Sequence, residues 1–169
     1  MRLLVLTAVA LALASAASAQ TQTPTAAPAA TPAPPPPAIG APLSLEQARP
    51  VLAAAIAEAR RQGFQMAVAI VEPDGSLVAF ERIDGVQYGS IEVSQAKARS
   101  AALFRRPTLA FSQGVAAGRV QILGLPGAIA IEGGVPLVLN GRLVGAIGVS
   151  GGSSEQDGQV AAVGAAALR

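Results

Sequence analysis

The residues best suited to chemistry meet in Gly148-Val149-Ser150-Gly151-Gly152, a G-x-S-x-G frame between a β-branched run and an Ala-rich one. A strand–turn–helix of this pattern is how α/β-hydrolases expose a nucleophilic serine. Such a serine needs a base, normally a His later in the chain. The sequence holds no His and no Cys. The hydrolase reading therefore fails, and cysteine nucleophiles, thiolate zinc sites, Fe–S clusters and disulfides are excluded with it. The remaining partner for Ser150 is Lys97, the single lysine of the chain. The turn also fails as a dinucleotide fingerprint, because G-x-G-x-x-G is incomplete and no strand follows the helix. What it keeps is glycines and hydroxyls ahead of a helix N-terminus, with Ser150 and Gly151 central. Unpaired N–H groups there either hold a small anion or merely accompany a tight turn.

The carboxylates offer no convergent pair. Glu72/Asp74 and Glu81/Asp84 flank a hairpin as solvated ends, and Glu155/Asp157 fall in the first turn of the last helix, where the dipole favours them. Lys97, on an Ala-rich helix, reads equally as a charged pocket wall or as surface. The sequence pI of 9.9 does not announce nucleic acid. Without Arg2, 11 basic face 10 acidic side chains, and the basic ones are scattered apart from Arg60-Arg61 and Arg105-Arg106. A phosphate-tracking surface needs a clustered patch, and one Tyr, four Phe and no Trp leave little to stack on bases.

Positioning falls to a set of short elements. Ser44-Leu45-Glu46-Gln47 is a capping box, followed by apolar residues at helical spacing, with Pro50 in or at the start of the helix and Gly63 ending it. Residues 66–72 and 76–82 read as strands joined by Glu72-Pro73-Asp74-Gly75, a turn by composition. Residues 90–104 are helical, Pro107 stops them, and Thr108 can cap a second short helix. Residues 128–131, 136–139 and 142–149 read as strands, the last two joined by Asn140-Gly141, a strong hairpin signal. Ser153 opens a capping box with Gln156, ahead of an Ala-rich helix. The order is α-β-β-α-α-β-β-β-α: an α/β class, with about five mostly antiparallel strands in one sheet and helices packed on it.

The chain divides by composition. Residues 1–19 carry Arg2, an apolar run and Ala17-Ser18-Ala19, which reads as a signal peptide cleaved near Ala19. Its apolar part is shorter than the roughly 20 residues a spanning helix needs, so no membrane span is expected after cleavage. Residues 20–42 hold eight prolines and no charge, the composition of a disordered spacer with polyproline II character. Residues 43–169 suffice for one domain with its own core. The expected location is periplasmic or secreted, in a bacterial cell.

Several stretches, in order, resemble the GlcG/HbpS-like family, which includes the C-terminal domain of PduO-type proteins. They are Leu43–Arg61, Val71–Leu77 through Gly85, Ala96–Ala102, Glu132-Gly133-Gly134-Val135-Pro136-Leu137, Gly145–Gly151, and Gln156-Asp157 with its helix. The resemblance implies an α/β/α three-layer domain of profilin- or PAS-like shape, higher oligomers, and haem binding in some members. It also implies, for some secreted members, partnership with sensors of haem or redox stress. A His ligand is impossible here, which leaves Tyr88, Met66, Lys97 and Thr108 as iron-ligand candidates, Thr108 by its place after the Ala-rich helix. Arg82, Lys97, Arg105 or Arg106 could meet propionates.

Three functions compete. The first is an exported, homo-oligomeric module binding haem or another small anionic ligand, with a sensor or envelope protein as partner. Its expected site residues are Tyr88, Lys97, Thr108, Arg82, Arg105, Gly133, Gly134, Ser150 and Gly151. The second is an assembly module without a small ligand, which suits a chain that is 51% hydrophobic and 13% charged. The third is an enzyme relying on Lys97, Tyr88 or Ser150.

Overall fold

Residues 35–169 are described by a computed structural model. The expected signal peptide and most of the expected spacer lie outside the described residues. Helix α1 (Leu45–Arg61) starts where capping chemistry puts it: Ser44 Oγ accepts the Gln47 N–H, and the Gln47 side chain accepts the Ser44 N–H. Pro50 lies inside the helix on its exposed side. The carbonyl it leaves without a donor belongs to exposed Glu46, within reach of solvent. Gly63, at φ +73°, ends the helix.

Strands β2 (Ala67–Val71) and β3 (Leu77–Arg82) form the expected antiparallel hairpin. Its turn is closed by Gly75 N–H donating to Glu72 O at 2.9 Å and Ser76 N–H donating to Asp74 Oδ1 at 2.8 Å. Helix α2 (Gly89–Phe104) ends when Arg105 turns left-handed at φ +53°, two residues before the proline expected to stop it. After α3 (Leu109–Ala116) and a 3-10 turn at Val120–Gly124, the chain enters the hairpin of β4 (Gly134–Leu139) and β5 (Arg142–Ser150). Asn140 and Gly141 both have positive φ, as a tight hairpin turn demands. Helix α4 (Ser154–Ala166) follows, with the expected Ser153–Gln156 capping box.

One expected strand is replaced by another. Residues 128–131 are irregular rather than extended. They lie between left-handed glycines at 127 and 133, and the Ile129 N–H donates to Ser100 Oγ on α2 instead of to a strand. The fifth strand is β1 (Ala38–Ile39), from a stretch read as spacer, which pairs in parallel with Arg142 and Leu143. The reason is that along β5 strand β2 covers only Ala146–Ser150, so the start of β5 still has backbone groups to satisfy on that side. Gly40 and Leu43 complete them by donating to Leu143 O at 2.7 Å and Val144 O at 2.9 Å.

Strand β5 is thus the centre of a five-stranded sheet, with β4 on one side, β2 and β1 on the other, and β3 outside β2. Helices α1 and α4 pack together on one face and α2 covers the other. Val68, Ile70, Ile147 and Val149 bury against the helix pair with Val51, Ala55, Ile56 and Val160. Ala69, Val71 and Ala146 meet Ala98, Ala101 and Ala102 of α2. The result is the expected single α/β domain in three layers. Among the described residues no helix is long and apolar enough to cross a membrane.

The small residues facing α2 have a steric purpose. A Cβ at Gly148 would run into the Ser94 carbonyl and come within 2.5 Å of the Ala98 nitrogen, both fixed backbone atoms. Overpacking of this kind costs about 1–3 kcal/mol or more. Gly148→Ala should lower stability by at least that amount in urea denaturation. A variant as stable as the parent would show that α2 is free to move off the sheet.

Candidate functional site

Helix α2 carries a polar row along its buried face, Ser90, Ser94, Lys97 and Ser100, at helical spacing. Lys97 is only 1% exposed and points across the end of β5. Its Nζ donates to Asp157 Oδ2 at 2.7 Å and to Val149 O at 3.1 Å. Asp157 is equally buried, on the inward stripe of α4 with Ala161 and Gly164. Its second oxygen, Oδ1, accepts the Gly152 N–H at 3.0 Å. The turn ahead of α4, where the sequence suggests a small anion, is therefore served by the chain's own carboxylate. Among the described residues no buried side-chain nitrogen or oxygen lacks a partner.

Glycines 133 and 134 close over this pair. A Cβ on Gly133, which sits at φ +123°, would come within 2.9 Å of both Lys97 Nζ and Asp157 Cβ. A Cβ on Gly134 would collide with the Lys97 carbonyl and come within 2.7 Å of Thr108 Cγ2. Thr108 is fully buried and holds the N-cap position of α3, but its side chain makes no capping bond there. Its Oγ1 accepts the Gly134 N–H at 2.9 Å while its own N–H donates to Gly134 O at 3.0 Å, a two-bond clamp on the start of β4. Glu132, half-buried, rests its carboxylate against α4 where Gly158 leaves room.

Burial pushes the Asp157 carboxyl above its usual range, against the pull of Lys97 and the Gly152 N–H. Burial also pushes Glu132 up, helped by repulsion from Glu155 and Asp157 and opposed by Lys97. Asp157 by a direct bond and Glu132 by proximity thus both draw on one ammonium. No group of His, Cys, Asp or Glu suited to a metal ion occurs among the described residues.

The residues singled out from sequence fall into separate sets. Lys97, Thr108, Gly133, Gly134 and Gly151 belong to the buried network or the turns that enclose it. Ser150 is buried but donates to Ser90 Oγ at 3.2 Å, so no Ser150–Lys97 hydrogen bond forms. Tyr88 and Arg82 meet at the surface: Tyr88 is 81% exposed at the start of α2, with the Arg82 guanidinium 5.9 Å from its ring centroid. Arg105 stands apart, donating to Pro37 O at 3.3 Å. Sequence reasoning missed Asp157 as the partner of Lys97 by explaining it through the helix dipole alone. The available signal was its place on the same helical stripe as Ala161 and Gly164, where an unpaired charge would not be buried.

Fold and site together define a small α/β/α domain closed by an internal lysine–carboxylate pair. A family model described as "Haem degrading protein HbpS-like" matches residues 43–166, and the chain belongs to this HbpS-like family. Protein GlcG of Escherichia coli (strain K12) is 39% identical over 108 residues, 64% of this chain and 81% of that protein. The crystal structure of HbpS superposes with a TM-score of 0.71 at 32% identity, covering 77% of this chain and 92% of that one. A PduOC:heme complex superposes with a TM-score of 0.69 at 27% identity, covering 76% and 96%.

Removing one partner of a buried pair strands the other charge, at about 3–5 kcal/mol, whereas apolar replacement of both can be neutral. Lys97→Met and Asp157→Leu should each cost that much, and the double variant less than their sum, in a urea-denaturation cycle. Additive losses would mean the pair is not coupled. A second expectation concerns pH. A carboxyl raised in the folded state binds its proton more firmly there than in the unfolded chain. Its stabilisation is therefore full below the ordinary carboxylate range and lost as pH rises through the folded value. Glu132→Gln should flatten the fall in thermal midpoint between acid and neutral pH; an unchanged slope would place the titration elsewhere.

Proposed function

We propose that this chain is an exported, self-associating haem-binding module in which Tyr88 is the iron ligand. The observation that carries the reading is the fate of the candidate donors. Met66 and Thr108 are fully buried, and Thr108 Oγ1 is engaged by Gly134. Lys97 is held by Asp157. Tyr88 alone of the four stands in solvent, so it can meet a planar ligand without dismantling the core. Support comes from the family description and from a structural relative solved as a heme complex.

Haem, when bound, would supply a ferric centre whose visible absorption reports the residue that holds it. Tyr88 offers a phenolic oxygen on an open ring at the start of α2. Arg82, beside that ring, offers a guanidinium to a propionate. Because Tyr88 is so open, a second copy of the chain would help exclude water from a ligand held there. Export rests on the signal-like residues 1–19, and a sensor or envelope partner on the resemblance described above.

The test is haem titration of the purified protein, with absorbance and sizing read on the same sample. A saturable Soret band is expected, lost or shifted in Tyr88→Phe and retained in Thr108→Ser. A band indifferent to Tyr88→Phe overturns the assignment. A discrete oligomer with no spectral response would instead favour an assembly module without a small ligand.

A further inference from the structure

The outward side of α2 carries two hollows that share Leu103 as a wall. One, of about 460 Å³, is lined by Ile39, Pro42, Glu72, Asp74 and Ala102. The other, of about 360 Å³, is lined by Ala96, Arg99, Gly127, Ala128 and Ile129. Leu103 stands between them 51% exposed. The first hollow is apolar with two carboxylates at its lip, and the second is apolar with one guanidinium.

Among the described residues none of Glu72, Asp74 and Arg99 enters a salt bridge. The Arg99 side chain is engaged only through Nε, which donates to Gly75 O at 3.2 Å. The Ser76 N–H holds the Asp74 carboxyl below its usual range, so it is anionic at neutral pH.

We infer that this face is the surface by which two copies of the chain associate, about a twofold axis that passes beside Leu103 at right angles to the line joining the two hollows. A twofold operation brings each patch onto its mate in exchanged order. The two Leu103 side chains then meet at the axis, and the acidic lip of each copy faces Arg99 of the other, twice over. A small anion would suit only the second hollow and a small amine only the first; a second copy satisfies both and covers the leucine as well. The inference names the surface for the self-association proposed above and does not rest on haem.

The test is light-scattering mass determination on the purified full chain, with circular dichroism confirming the fold of each variant. The parent should run as a multiple of the chain mass and Leu103→Glu as a smaller species. Arg99→Glu and Glu72→Arg should each raise the dissociation constant about tenfold or more, and the two together should restore association. A monomeric parent would overturn both self-association and this surface. An assembled Leu103→Glu variant, or a double variant no better than the single ones, would overturn the surface alone.

Discussion

A lysine placed in the interior of a small domain must be neutralised where it stands, and the architecture around Lys97 follows from that requirement. Its ammonium binds a carboxylate on α4 and a carbonyl on β5 while its backbone belongs to α2. One side chain thereby joins the outer layer on one face of the sheet, the central strand, and a helix of the other face. The pair adds little net stability over an apolar substitute. What it adds is direction, because a placement of α2, β5 and α4 that separates the two groups strands a buried charge.

Close approach is the second constraint, and it serves the first. The ammonium reaches Val149 O because α2 lies near the sheet, and α2 can lie there because Gly148 and Ala98 meet with almost no side chain between them. Gly133 and Gly134 close the site for the same reason, leaving the space that larger residues would take. Thr108 then fixes Gly134 through both its hydroxyl and its amide nitrogen. Small residues, a clamp and an ion pair act as one unit, and none is explained by its own propensity.

This division leaves the core chemically committed and the surface available. Donors that look reactive in a list of residue types, namely Lys97, Thr108, Ser150 and Met66, are used to hold the fold. Tyr88 and Arg82 are not, and the charges beside Leu103 hold no more than the hairpin turn next to them. A binding role is therefore argued from the open end of α2, and an assembly role from its outward side, while the buried side of the same helix remains structural.

The sequence by itself determined the elements whose signals are local. Both capping boxes, the Glu72–Gly75 turn, the Asn140-Gly141 hairpin and the Ala-rich helices all form where short-range chemistry places them, and the ordered motifs indicated the HbpS-like family. Only the tertiary structure decided which backbone groups remained to be paired. A two-residue segment at Ala38–Ile39 became a strand because the start of β5 lacked a neighbour on the side β2 leaves open, and residues 128–131 did not because glycines bend them onto α2. It also decided that Lys97 and Asp157, 60 positions apart, share one buried bond. Helical periodicity shows which face a residue lies on. Which face will be buried against an opposite charge depends on how the layers stack, and that is a property of the whole chain.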